Sequence, residues 1–334
     1  MVRPTLFSLL LTAAAFAEAP PAAKTTPLVS KETLEKAFAN KPVEIHLDMP
    51  YAGTSNPKQM LDLFLPRERK TDKPLPVIAY IHGGGWVNGD RKSADHSMAV
   101  VAMSGNYAGI SIGYRLSGEA KWPAQIHDCK AAIRWIRGHA KEYNLDPDHI
   151  GVWGTSAGGH LVSLLGVSPE VKELNGDEGE FNDLSNKVTC VVNICGPQDM
   201  TGPLMQGEAG KKDDPALSGL FGSPLKDHIT EEKAASPLSY VSASSAPFLT
   251  AQGTNDQRVN FTNAQRIDEA LRKAGVTSIL FPVEGGGHSF HSTEVDKAIQ
   301  QFFDLHLRGI KSEIVGHPVP DEPRATAKTK AKES

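Results

Sequence analysis

Two rhythms of apolar residues alternate along this chain. Short continuous runs, such as Val77-Ile78-Ala79-Tyr80-Ile81 and Val188 to Ile194, read as strands buried on both faces. Further strands are expected at 107–114, 150–153, 247–252 and 279–283. Between them lie helical stretches at 93–104, 123–143, 157–167, 260–274 and 292–307. The stretch 123–143 carries Ile126, Ala131, Ile133, Trp135 and Ile136 and opens on a proline suited to a first helical turn. Strand and helix in regular alternation imply parallel pairing, with helices on both faces of one sheet. The N-terminal part differs. A short helix at 31–39 precedes strands at 43–47 and 59–65, which flank the turn-rich Pro50-Tyr51-Ala52-Gly53-Thr54-Ser55-Asn56-Pro57. That arrangement predicts an antiparallel pair at a sheet edge.

One interval lacks the rhythm. Residues 196–246 contain repeated Gly and Pro and no strong strand signal. A long irregular stretch inside a compact domain is usually functional, and it is read as a small cap insertion. The main domain is then 43–310, preceded by a linker and short helix at 18–42 and followed by a flexible tail at 311–334. The first residues have a different character again. Arg3 precedes an apolar run that ends Ala15-Phe16-Ala17, too short to span a bilayer and shaped like a secretory signal peptide. Cleavage after Ala17 would export the mature chain, so a secreted or periplasmic location is expected.

Composition narrows the field. The 334 residues are 40% hydrophobic and 22% charged, with a net charge of −4, so nothing basic enough to hold nucleic acid is seen. No membrane association is expected once the signal is removed. Of the three cysteines, Cys190 and Cys195 sit five apart around a strand and cannot bridge, and Cys129, Cys190 and Cys195 all read as small core residues. Neither zinc-site spacing nor a phosphate-binding loop occurs, so no metal and no cofactor are expected.

The chemistry lies in residues that directly follow predicted strands. Gly154-Thr155-Ser156-Ala157-Gly158 is a G-x-S-x-G pattern between a strand and a helix, which puts a nucleophilic serine on a tight turn. His82-Gly83-Gly84-Gly85 can present bare backbone N–H groups to an oxyanion, with Gly84 and Gly85 donating beside Ala157. His82 is expected to brace that loop and Trp86 to line the substrate pocket. Among the twelve histidines, His288 on the loop Glu284-Gly285-Gly286-Gly287-His288 is the expected base, with His291 as rival. Asp256, following Gly253-Thr254-Asn255, is the expected carboxylate partner, with Asp199 as rival. Open α/β sheets bind ligands at the edge formed by the C-terminal ends of their strands, where all of these residues fall.

The motifs Ile81-His82-Gly83-Gly84-Gly85-Trp86, Tyr114-Arg115-Leu116, Trp122-Pro123-Ala124-Gln125 and Gly154 to Leu161, together with Gly253-Thr254-x-Asp256 and Gly287-His288, resemble those of the hormone-sensitive-lipase-like α/β-hydrolases. Within that group they are similar to the bacterial feruloyl-esterase-like (BD-FAE) branch, from about residue 59 to 307. The resemblance implies an α/β-hydrolase fold, a triad of Ser156, Asp256 and His288, and an oxyanion hole of Gly84, Gly85 and Ala157. It implies a serine carboxylesterase acting on a small-molecule or carbohydrate ester, with acetyl or feruloyl groups of plant polysaccharide as candidates. A peptidase, an arylformamidase-type amide hydrolase and, more distantly, a non-catalytic binding protein on the same fold are alternatives. Thr155 departs from the group's frequent aspartate before the nucleophile.

Overall fold

Val77 and Ile78 sit side by side in one strand yet join different apolar layers, and the same holds for Val191 and Val192 and for Phe248 and Leu249. Successive side chains of a strand point to opposite faces, so each apolar run feeds a core above and a core below the sheet. The computed structural model describes residues 31–169, 171–201, 214–222 and 228–323. The leader expected at 1–17 and most of the linker at 18–42 lie outside the described residues.

The strands are β1 (Val43–Pro50), β2 (Met60–Pro66), β3 (Leu75–Ile81), β4 (Ala108–Ile112), β5 (Leu145–Thr155), β6 (Cys190–Ile194), β7 (Phe248–Gly253), β8 (Ser278–Glu284) and β9 (Val319–Pro320). Among the described residues they form one nine-stranded sheet in the order β1-β2-β4-β3-β5-β6-β7-β8-β9. β1 with β2 and β2 with β4 are antiparallel; every other pairing is parallel. This is the α/β-hydrolase fold with an antiparallel N-terminal edge.

The helices are α1 (Lys31–Phe38), α2 (Asp95–Met103), α3 (Ala124–Gly138), α4 (Ala140–Tyr143), α5 (Ala157–Val167), α6 (Pro215–Phe221), α7 (Ile229–Ala235), α8 (Thr262–Lys273) and α9 (Thr293–Arg308). α3, α5 and α8 cover one face; α1, α2 and α9 cover the other. α9 shows why such a segment folds as a helix. It buries Val295, Ala298, Ile299, Phe302 and Phe303 along one stripe, Ser292 caps its start through Val295 N, and Gly309 at φ +68 ends it.

Several boundaries differ from the sequence pattern, among them the strand expected at 150–153, which runs over Leu145–Thr155, and three others have a local cause. The helix expected at 93–104 starts at Asp95, because Asp90 first closes a short turn over Arg91–Ser93 by accepting from Lys92 N. The helix expected over 123–143 is broken at His139, between α3 and α4. Residues 319–322, which the sequence pattern places in a flexible tail from 311 to 334, are instead tied to the domain, and 324–334 lie outside the described residues. Val319 is buried in β9 and pairs with Val283, and Asp321 and Glu322 bind His291 and Thr293. A two-residue strand leaves no periodicity to read. Within 196–246 the described residues hold α6, α7 and a 3-10 turn at Pro237–Tyr240, and no strand.

Candidate active site

Four parallel strands deliver the chemistry to one edge of the sheet. β3 runs into His82–Gly85, β5 into Ser156, β7 into the loop with Asp256 and β8 into the loop with His288. Ser156 sits at φ 57, ψ −121, a sparsely populated conformation for a residue with a side chain, and α5 starts at the next residue. Holding such a conformation costs on the order of 1–3 kcal/mol and needs surrounding structure to enforce it. Ser156 N donates to Ile194 O at 2.8 Å, which ties the turn to β6. Gly158 is required on packing grounds: a Cβ there would lie 2.0 Å from Ile81 O.

The structure brings Ser156, His288 and Asp256 together. His288 Nδ1 is 2.8 Å from Asp256 Oδ2 and its Nε2 is 2.9 Å from Ser156 Oγ. With Nδ1–H donating to the carboxylate, Nε2 is left to accept the serine hydroxyl proton. Asp256 is fully buried. Its Oδ1 accepts from Arg258 N at 2.8 Å and Val259 N at 3.0 Å, and Gln252 Nε2 lies 3.3 Å from Oδ2. Burial alone would raise its pKa, but the His288 bond and the backbone amides outweigh it and hold the carboxyl below its ordinary range. It is therefore ionised at neutral pH.

The rivals face elsewhere. Asp199 accepts from Thr201 and pairs with Arg266. The His291 backbone is bound by Asp321 and Glu322, and its ring nitrogens lie nearest Asp296 and Glu322, at 3.9 and 3.8 Å.

Beside Ser156 runs the glycine loop, so close that a Cβ on Gly83 would come within 3.3 Å of Ser156 Cβ. Gly84 at φ +118 could not carry a side chain: its Cβ would meet Asn88 O at 2.1 Å. Among the described residues the N–H groups of Gly84, Gly85 and Ala157 have no protein acceptor. His82 stacks on Tyr114 with ring centroids 4.3 Å apart, and its Nδ1 lies 2.8 Å from Gly83 O. Burial lowers its pKa to about 4.

Trp86, expected on the pocket wall, is 4% exposed, and its Nε1 donates to His160 Nδ1 at 3.2 Å. The side chain is used as a brace between the glycine loop and α5. His160 in turn places Nε2 2.6 Å from Ala235 O at the end of α7. Those two bonds fix its neutral tautomer, and burial lowers its pKa to about 4. α6 leans over the same loop, with the Ala216 methyl 3.3 Å from where a Gly85 Cβ would lie. Sequence reasoning did not foresee the buried Gln252 beside Asp256, nor that Cys195 would lie against the triad. Both become visible only when β6 and β7 are laid next to each other.

A hydroxyl, an imidazole and an ionised carboxylate in series, next to unpaired amides, can carry out acyl transfer. The comparisons agree with that chemistry. The BD-FAE family profile matches residues 61–271. The chain is 31% identical over 267 residues to esterase LipQ and 29% identical over 236 residues to esterase LipC, both of Mycobacterium tuberculosis. These alignments cover 77% and 70% of this chain, but it spans only 62% and 58% of those relatives' lengths. Among solved structures it is similar to a truncated carbohydrate esterase from gut microbiota, with a TM-score of 0.73 and 29% identity, covering 79% of this chain and 96% of that one. It is also similar to a bifunctional GH43-CE protein of Bacteroides eggerthii, with a TM-score of 0.72 and 32% identity, covering 78% of this chain and 38% of that one.

Proposed function

The chain belongs to the BD-FAE family, and from that premise we propose that it is a carboxylic-ester hydrolase working through an acyl-enzyme on Ser156. The reading rests above all on one ring: His288 reaches Ser156 Oγ at 2.9 Å with one nitrogen and Asp256 Oδ2 at 2.8 Å with the other. In the first half-reaction Ser156 Oγ attacks the ester carbonyl carbon while His288 Nε2 takes its proton. Asp256 holds the ring and stabilises the imidazolium. The carbonyl oxygen, now an anion, is met by the N–H groups of Gly84, Gly85 and Ala157. The tetrahedral intermediate collapses, the C–O bond to the alcohol breaks, and His288 returns its proton to the departing oxygen. Water then repeats the sequence on the acyl-serine, releasing the acid and restoring Ser156. No cofactor enters either half.

The substrate in this reading is a carbohydrate ester, acetylated or feruloylated, met outside the cytoplasm after removal of residues 1–17. The likeness to a carbohydrate esterase from gut microbiota supports the substrate class, and the apolar run ending Ala15-Phe16-Ala17 supports export. The test compares acetate or ferulate release from esterified xylan with hydrolysis of short p-nitrophenyl esters. Turnover of the small esters alone would remove the polysaccharide claim, and failure of a fluorophosphonate to label Ser156 would remove the mechanism. N-terminal sequencing of protein recovered from the medium or periplasm should begin near residue 18. An intact Met1 on exported protein would reject the leader.

A further inference from the structure

Cys195 follows β6 directly and adopts φ +53, a left-handed conformation unusual for a residue with a Cβ. Its backbone N–H still donates to Ala251 O at 3.1 Å, so the register with β7 is kept at this corner. The thiol is fully buried beside the loop that follows β7. Sγ, an Asp256 carboxylate oxygen and a His288 ring nitrogen all lie within 4.8 Å of one another. A sulfur lone pair turned toward a carboxylate is repelled by it. The S–H is the one positive end the thiol can offer Asp256. Burial first, and then the charge of Asp256, raise the thiol's pKa well above the ordinary range, so the proton stays on sulfur through neutral pH.

We propose that Cys195 is a positioning residue for acyl transfer: its S–H donates to the Asp256 carboxylate and, by drawing charge from it, sets the basicity of His288. The proposal rests on the reading of Ser156, His288 and Asp256 as a triad. Arg258 N and Val259 N are backbone donors to the same carboxylate. Gln252 also holds Val259 O at 2.6 Å, so removing it would disturb the loop itself. The thiol is the donor that can be deleted most cleanly.

The test is the pH dependence of kcat/KM for p-nitrophenyl acetate in the wild type and in Cys195→Ala, Cys195→Val and Cys195→Ser. Without the donor Asp256 is more basic and the imidazolium better stabilised. The acidic limb should move up by about half a pH unit in the Ala and Val variants, the size expected for losing one weak hydrogen bond. Cys195→Ser keeps a donor and should return the limb toward the wild-type position. Folded Ala and Val variants whose limbs superimpose on the wild type would overturn the proposal. A wild type that hydrolyses no ester defeats the triad reading instead, which separates the two failures.

An infrared measurement needs no turnover. Of the three free thiols, Cys129, Cys190 and Cys195, one should show a red-shifted S–H stretch that disappears in Cys195→Ser. Three bands at the unbonded frequency would refute the idea even if the Ala and Val variants fail to fold.

Discussion

The two sides of Ser156 are built in opposite ways. On the oxyanion side the loop is tied at every turn: His82 is stacked on Tyr114, Trp86 is fastened to His160, and Asp90 pairs with Lys58 at 2.9 Å. On the base side His288 is a quarter exposed, on a loop where Cβ atoms at Gly285 and Gly287 would meet open space. The difference matches the work each side does. Amides that stabilise a developing oxyanion act best when they need no rearrangement at the moment of reaction. An imidazole that takes a proton from one oxygen and gives it to another needs room for a small tilt. Rigidity is placed where charge appears, and compliance where a proton is carried.

The most severe way to break the comparison is at its centre. Ser156→Ala should lower kcat by about 10⁴- to 10⁶-fold while leaving the melting temperature unchanged. Hydrolysis of p-nitrophenyl acetate measures it, and a variant with normal rates would disprove the nucleophile. On the rigid side, Gly84→Ala forces a methyl group onto Asn88 O. It should displace a donor and cost about 10²- to 10³-fold in kcat. A loss expressed in KM alone would mean that the loop binds substrate and does not stabilise the oxyanion.

A third measurement sharpens the comparison through pH. His160 is held neutral, its folded pKa lowered to about 4. As pH falls below the ordinary histidine value, the unfolded chain takes up a proton that the native ring refuses. This contribution to stability is therefore lost as pH falls from about 6.5 to about 4, and amounts to on the order of 3 kcal/mol. His160→Gln can still donate to Ala235 O and accept from Trp86, but it does not titrate. Its unfolding free energy should fall less steeply with acid, by about 1.4 kcal/mol per pH unit in that window. Parallel slopes in urea titrations would show that His160 is not held neutral. The smallest effect belongs to the compliant side. Gly287→Ala places a methyl in open space, and should change kcat/KM by less than about threefold. A loss as large as that of Gly84→Ala would end the claim that the two sides differ.

Much of this site could be read from the chain because its residues follow uninterrupted apolar strands. Val77 to Ile81 and Ile279 to Val283 announce themselves by hydrophobicity alone, and His82–Gly85 and His288 come directly after them. The unread parts depend on neighbours distant in sequence. The hydrogen bond of Trp86 to His160 appears only once α5 is packed beside the glycine loop. Cys195 looks like core filler until β6 and β7 lie side by side and bring Asp256 next to it. β9 depends on a single buried valine beside Val283. Local pattern predicts what a segment wants to be, while these features are decided by which segments meet.

The strand β9 has a practical meaning for anyone handling this protein. Beyond it, Glu322 N donates to His291 O at 2.8 Å and Asp321 accepts from His291 N at 3.0 Å, three residues from the base. The last dozen described residues thus act as a guy-rope on the loop that must hold its ring in line. A truncation after Arg308, chosen because the final helix stops there, would cut that rope and strip the buried Val319 from the edge of the sheet.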